Sequence, residues 1–190
     1  MDRRQALSRV ALILGGTVAG ATLFLEGCKP ADKKNGSVAD FGQGDIPFLD
    51  EVADTILPAT SSPGAKAAKV GAFMVVMVRD CYDEKDQKTF VDGIGKLNDA
   101  SRKKFDKVFV EITPEQKHAL LTDLDTEQKE YTNSKKEGDA AHYFRLMKEL
   151  TLLGYFTSEV GATQALRYIE SPGKYVGTIP YKKGDKAWAL

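Results

Sequence analysis

The chain has 190 residues with 27 Lys and Arg against 27 Asp and Glu, and 42% of it is hydrophobic. This even balance, with lysines interleaved among carboxylates, excludes the basic surplus or stripe that nucleic-acid phosphates require. Two cysteines, Cys28 and Cys81, allow at most a single disulfide between a tail and a helix, and none if Cys28 carries lipid.

In chain order, Asp2-Arg3-Arg4-Gln5-Ala6-Leu7 leads into an uncharged run from Val10 to Leu25 that stops at Leu25-Glu26-Gly27-Cys28. This is the pattern of an export signal, and the pair Arg3 and Arg4 points to the twin-arginine route, which carries proteins already folded. A permanent membrane anchor is the competing reading, but the run has 16 residues and contains Gly15, Gly16 and Gly20. A bilayer-spanning helix needs about 20 apolar residues. Leu-x-Gly-Cys also has the form of a bacterial lipobox, which makes Cys28 a candidate for lipid attachment. Glu26 stands where a small or apolar residue is usual, so ordinary cleavage nearby stays open.

Residues 1–27 are therefore a signal segment and do not count toward the fold. The remaining chain carries 24 basic and 25 acidic residues once Arg3, Arg4, Arg9, Asp2 and Glu26 are removed. Its length suits one domain that buries roughly 70% of the unfolded chain's surface. Residues 28–44, which carry Gly, Asp, Lys, Asn and Ser with few apolar residues, read as a flexible tether. The folded body is expected over 45–170. Asp45 is placed to cap a first helix, with Pro47 in its first turn, Phe48, Val52 and Ile56 at four-residue spacing, and Pro58 as its stop. Turn residues fill 58–67. A second helix over 69–82 shows Val70, Phe73, Met74, Met77, Val78 and Cys81 on one face, which makes Cys81 a small core residue.

A third helical pattern spans 85–110, with a break expected near 98–101 and two glycines, Gly93 and Gly95, each costing about 1 kcal/mol inside a helix. Thr113-Pro114-Glu115-Gln116 is a helix start with a capping box, followed by Leu120, Leu121, Leu124 and Tyr131. From Asp139 to Val160 apolar residues cover most of a helix circumference, either because its own neighbours surround it or because one face serves another protein. A short helical stretch runs from Gly161 to Tyr168. Residues 171–190 form an extended tail whose Tyr175, Tyr181 and Trp188 suit a protein contact, folding back on the domain being the alternative.

The candidate chemistry is thin. Glu115-x-x-His118 and Asp139-x-x-His142 each put a carboxylate and an imidazole one helical turn apart, the half-motif of a di-metal bundle site. Both begin at helix ends, where acids answer the helix dipole and cap backbone N–H groups in any case. No phosphate loop, dinucleotide fingerprint, nucleophile elbow or haem-attachment motif is present. No catalytic, cofactor or metal residue is assigned on this chain.

The helix Phe48-Leu49-Asp50-Glu51-Val52-Ala53-Asp54-Thr55-Ile56-Leu57-Pro58, the loop end Ser62-Pro63-Gly64-Ala65 and Val70-Gly71-Ala72-Phe73 resemble the opening of the gluconate 2-dehydrogenase subunit 3 family. Leu152-Leu153-Gly154-Tyr155-Phe156-Thr157-Ser158-Glu159-Val160-Gly161 and Ser171-Pro172-Gly173-Lys174-Tyr175 are similar to its closing segment, so the resemblance runs from about Phe48 to Tyr181. It implies a helical accessory subunit of a membrane-associated sugar or sugar-acid dehydrogenase. In such complexes the large subunit holds FAD and oxidises the substrate, a cytochrome c takes the electrons, and the small subunit supplies the export signal and supports maturation. The expectation is thus an all-α small irregular bundle in the periplasm or cell envelope, itself non-catalytic. Its partner contacts would come from Tyr155, Phe156, Tyr175, Tyr181 and Trp188. A free-standing envelope lipoprotein acting as a scaffold and a helical di-metal enzyme are the alternatives.

Overall fold

A computed structural model describes residues 39–189. Among the described residues five α-helices carry the fold: α1 Asp45–Ile56, α2 Val70–Cys81, α3 Glu84–Phe105, α4 Pro114–Ser134 and α5 Tyr143–Thr157. A 3-10 turn at Phe109–Glu111 joins α3 to α4, and a π turn at Gly161–Ala165 follows α5. Among the described residues there is no β-strand, only an isolated parallel bridge between Arg167 and Trp188. The all-α small bundle expected from the periodicity is what forms.

The central helix is α5, which packs against α1, α2, α3 and α4. Its near-continuous apolar circumference follows from this position: Tyr143, Phe144, Leu146, Met147, Leu150, Thr151, Gly154 and Tyr155 are buried among these neighbours. Of the two readings of this helix, enclosure by its own neighbours accounts for most of the circumference. Leu152, Leu153 and Phe156 remain exposed on the other side. Phe90, Phe109, Phe144, Leu49, Met74 and Met147 are among the largest sealed side chains of the core.

Two close crossings depend on glycine. A Cβ at Gly71 would lie 2.6 Å from the carbonyl oxygen of Ile46, and the Gly71 N–H donates to Asp50 Oδ1 at 2.8 Å, so α2 begins in backbone contact with α1. A Cβ at Gly93 would lie 2.6 Å from Tyr143 Cβ. That crossing of α3 and α5 accounts for the glycine at 93, and α3 runs unbroken through Gly93 and Gly95. The break foreseen at 98–101 is absent as well. Asn98 Oδ1 accepts the Phe109 N–H at 3.1 Å and the buried Ser101 hydroxyl donates to the Lys107 carbonyl at 2.8 Å, so these two polar residues fasten the chain that returns along α3. The helix ends at Asp106, whose φ of 59° is left-handed.

Local signals act where they are expected at α4. Thr113 Oγ1 accepts the Gln116 N–H at 3.3 Å and Gln116 Oε1 accepts the Thr113 N–H at 3.0 Å, the reciprocal capping box, with Pro114 at the first helical position. Other boundaries differ from expectation. Gly44, not Asp45, is the N-cap of α1, and Asp45 sits in its first turn, where its carboxylate accepts the Gly42 N–H at 2.8 Å. Nor does Asp139 cap α5. It accepts the Lys136 N–H at 2.9 Å within the preceding turn, and the helix starts later, behind His142. The tether expected through residue 44 gives way sooner. Ala39 is buried, and Phe41 packs edge-on to Phe90 with centroids 6.2 Å apart, so the stretch from 39 belongs to the body.

Candidate functional site

Of the two carboxylate–histidine pairs, Glu115, Asp139 and His142 take up structural posts. Glu115 lies exposed in the first turn of α4, its pKa lowered by hydrogen bonds from its own backbone N–H and the Thr113 hydroxyl. His118 is exposed beside a shallow recess that includes Thr55, Thr122 and Asp125. His142 Nδ1 accepts the Phe144 N–H at 3.3 Å and so caps α5, a duty that needs an unprotonated nitrogen. Its ring lies against Tyr143 and Tyr131, with centroids 4.5 Å and 5.7 Å away, and its Nε2 is 3.6 Å from Glu127. Burial lowers the His142 pKa against the opposing pull of Glu127, and burial pushes the Tyr143 hydroxyl up to about 12. Among the described residues no three His, Cys, Asp or Glu side chains converge as a metal site.

Cys81 is exposed, which corrects its placement in the core. The buried stripe of α2 is Val70, Met74 and Val78 at four-residue steps, while the adjacent row of Phe73, Met77 and Cys81 drifts outward. Arg3, Arg4 and Cys28 lie outside the described residues.

The five aromatic residues expected at a partner surface divide sharply. Tyr155 is buried, and its hydroxyl donates to the Pro63 carbonyl at 2.6 Å, which fastens α5 to the loop after α1; it offers no surface. Phe156 stacks edge-on to it at 5.2 Å and is partly exposed. Tyr175 and Tyr181 are 94% and 76% exposed, and Trp188 is 44% exposed. The last three share a single structure, which is not a straight tail. The Arg167 N–H donates to the Ala187 carbonyl and the Ala189 N–H to the Arg167 carbonyl, both at 2.8 Å, so residues 168–187 leave and return as a loop closed at its root. There the Arg167 guanidinium lies 4.5 Å from the Trp188 ring centroid, a cation–π contact. The Lys186 amine adds a bond to the Gln164 carbonyl.

Ile169, Val176 and Ile179 are also exposed in this loop, and together with Tyr175 and Trp188 they line a cleft of about 860 Å³. Sequence reasoning picks out the rings but misses these aliphatic residues and the Arg167 latch. The two latch residues are far apart in sequence, and no spacing rule marks such a pair. A contiguous apolar patch this exposed is the kind of surface that another molecule covers.

Comparison with curated proteins and with solved structures gave no match. A sequence profile described as gluconate 2-dehydrogenase subunit 3 matches residues 43–173. The match takes in all five of the described α-helices and reaches into the first arm of the loop, stopping short of Tyr175. It thus starts slightly before the segment whose residues resemble the family and ends before Tyr181. Since it spans well over half the chain and the whole helical body, this protein belongs to the gluconate 2-dehydrogenase subunit 3 family.

Proposed function

We propose that this chain is the non-catalytic small subunit that escorts, matures and docks a FAD-dependent sugar or sugar-acid dehydrogenase large subunit in the cell envelope. Family membership supports association with a dehydrogenase complex. The observation that carries the docking role is the C-terminal loop, where rings exposed up to 94% surround an apolar cleft on an otherwise well-packed body. Aromatic residues presented on a closed scaffold supply large contact area at small entropic cost, which is how interface anchors work. FAD would sit in the large subunit, and a cytochrome c would receive its electrons. Arg3 and Arg4 would take both folded chains through the twin-arginine route. Lipidation at Cys28, or the uncleaved signal, would hold the complex at the membrane. Among the described residues no helix is long and apolar enough to cross a membrane.

Purification of the tagged chain from its native host tests the reading. A yellow, flavin-containing large subunit should co-elute, and replacing Arg3 and Arg4 with lysines should leave both proteins in the cytoplasm. A chain that elutes alone would instead favour a free-standing envelope lipoprotein.

A further inference from the structure

We infer that the loop between Arg167 and Trp188 is a socket for an acidic protein face: its cleft takes an apolar side chain of the partner, and its lysines pair with carboxylates around that side chain. This rests on the docking role above and specifies the chemistry of the surface that the large subunit presents.

The charge is divided along the chain. Residues 39–165 hold 16 basic and 22 acidic side chains, whereas 166–190 hold five basic and two acidic. Neutrality overall hides an acidic body carrying a basic loop. Within the loop, the Asp185 carboxylate turns back to accept the Lys182 N–H at 2.9 Å, while the amines of Lys174, Lys182 and Lys183 have no ion-pair partner among the described residues. Lys174 stands in the wall of the cleft, beside Tyr175. Lys174 thus joins a cation to the apolar wall, with Lys182 and Lys183 exposed on the same loop, the arrangement in which charges beside an apolar centre steer encounter and a buried ring supplies most of the affinity.

The shape favours a protein over a membrane. The cleft is concave and held by two backbone hydrogen bonds and the Arg167–Trp188 stack, so it fits a projecting side chain. A headgroup layer has no such projection, and the acidic body next to the loop would be repelled by anionic lipid.

The test uses the full chain and its flavin-bearing large subunit, with affinity measured at low and at physiological salt. The triple variant Lys174→Gln, Lys182→Gln, Lys183→Gln should bind at least about tenfold more weakly at low salt and lose most of the salt dependence. Trp188→Ala and Tyr175→Ala should each weaken binding about tenfold at both salt concentrations. Tyr175 takes no part in the latch, so its variant separates contact from loop closure. A complex that tolerates all three changes overturns the inference and leaves the docking role standing. No complex with the unaltered chain overturns both. If the lysine variant keeps full affinity for the flavoprotein but loses binding to phosphatidylglycerol vesicles, the loop is a membrane contact and the inference fails.

Discussion

The helical body and the C-terminal loop spend the same residue types in opposite ways. In the body, Phe90, Phe109 and Phe144 are sealed, and even the polar Ser101, Thr151 and Gln128 are buried. In the loop, Tyr175, Tyr181, Trp188, Ile169, Val176 and Ile179 face outward, and two backbone bonds with one stacked guanidinium close the structure. The body holds itself together by burial. The loop is a surface held in shape at its root, and its apolar area gains its main stabilisation when something covers it.

Changes at five positions would break or sharpen that contrast, beginning with the largest. Phe90→Ala removes a fully buried ring that also receives Phe41, and should cost about 3–5 kcal/mol in a denaturant titration. A smaller loss would mean that the core collapses around the gap. Gly93→Ala should cost about 1–3 kcal/mol, because its new methyl meets Tyr143 Cβ across the α3–α5 crossing. Gly95→Ala, two residues on and facing open space, should instead stabilise by up to about 1 kcal/mol through helix propensity. Equal effects at the two glycines would remove the crossing as the reason for Gly93.

His142→Ala should cost about 1 kcal/mol by removing the cap of α5, whereas His142→Asn should keep most of it. The same residue sets a pH dependence. Its folded pKa is lowered by burial, so the stability it contributes is complete above its ordinary value of 6.5 and declines as pH falls from there through the lowered folded value. The unfolded chain takes up the proton first, and a protonated Nδ1 no longer accepts the Phe144 N–H. Unfolding midpoints measured across this range should fall for the natural chain and stay flatter for His142→Asn. The smallest effect belongs to the loop: Tyr175→Ala should leave the body's stability within about 0.5 kcal/mol. A larger loss would show that the loop braces the helices.

How much is legible in the sequence depends on the range of the interaction involved. Thr113, Pro114 and Gln116 act on one another within a single turn, so the start of α4 is legible residue by residue. The helical class and the apolar stripes are legible for the same reason. Gly93 reads in the sequence as a weak point, because a propensity penalty is visible in the chain while the Tyr143 ring that requires a glycine there is fifty residues away. Asp139 is the better cap on propensity grounds, yet His142 takes the post, because the turn through 138–139 delays the helix and leaves the imidazole beside the Phe144 N–H.

The candidate interface is half legible. Large rings among glycines and prolines announce a segment unsuited to solvent, and Tyr175, Tyr181 and Trp188 are found that way. Tyr155 belongs to the same apolar run as Phe156, and only the position of Pro63 shows that it points inward.

By itself the sequence determined the class of fold, its main helical segments and the presence of surplus aromatic surface, because helix periodicity, capping and composition act within a few residues. The tertiary structure alone decided which glycines stand at close crossings, which histidine caps, which tyrosine is core, and that the last aromatic residues stand on a closed loop. Each of those depends on a partner brought close by folding, and contact across such distances leaves no mark in local spacing.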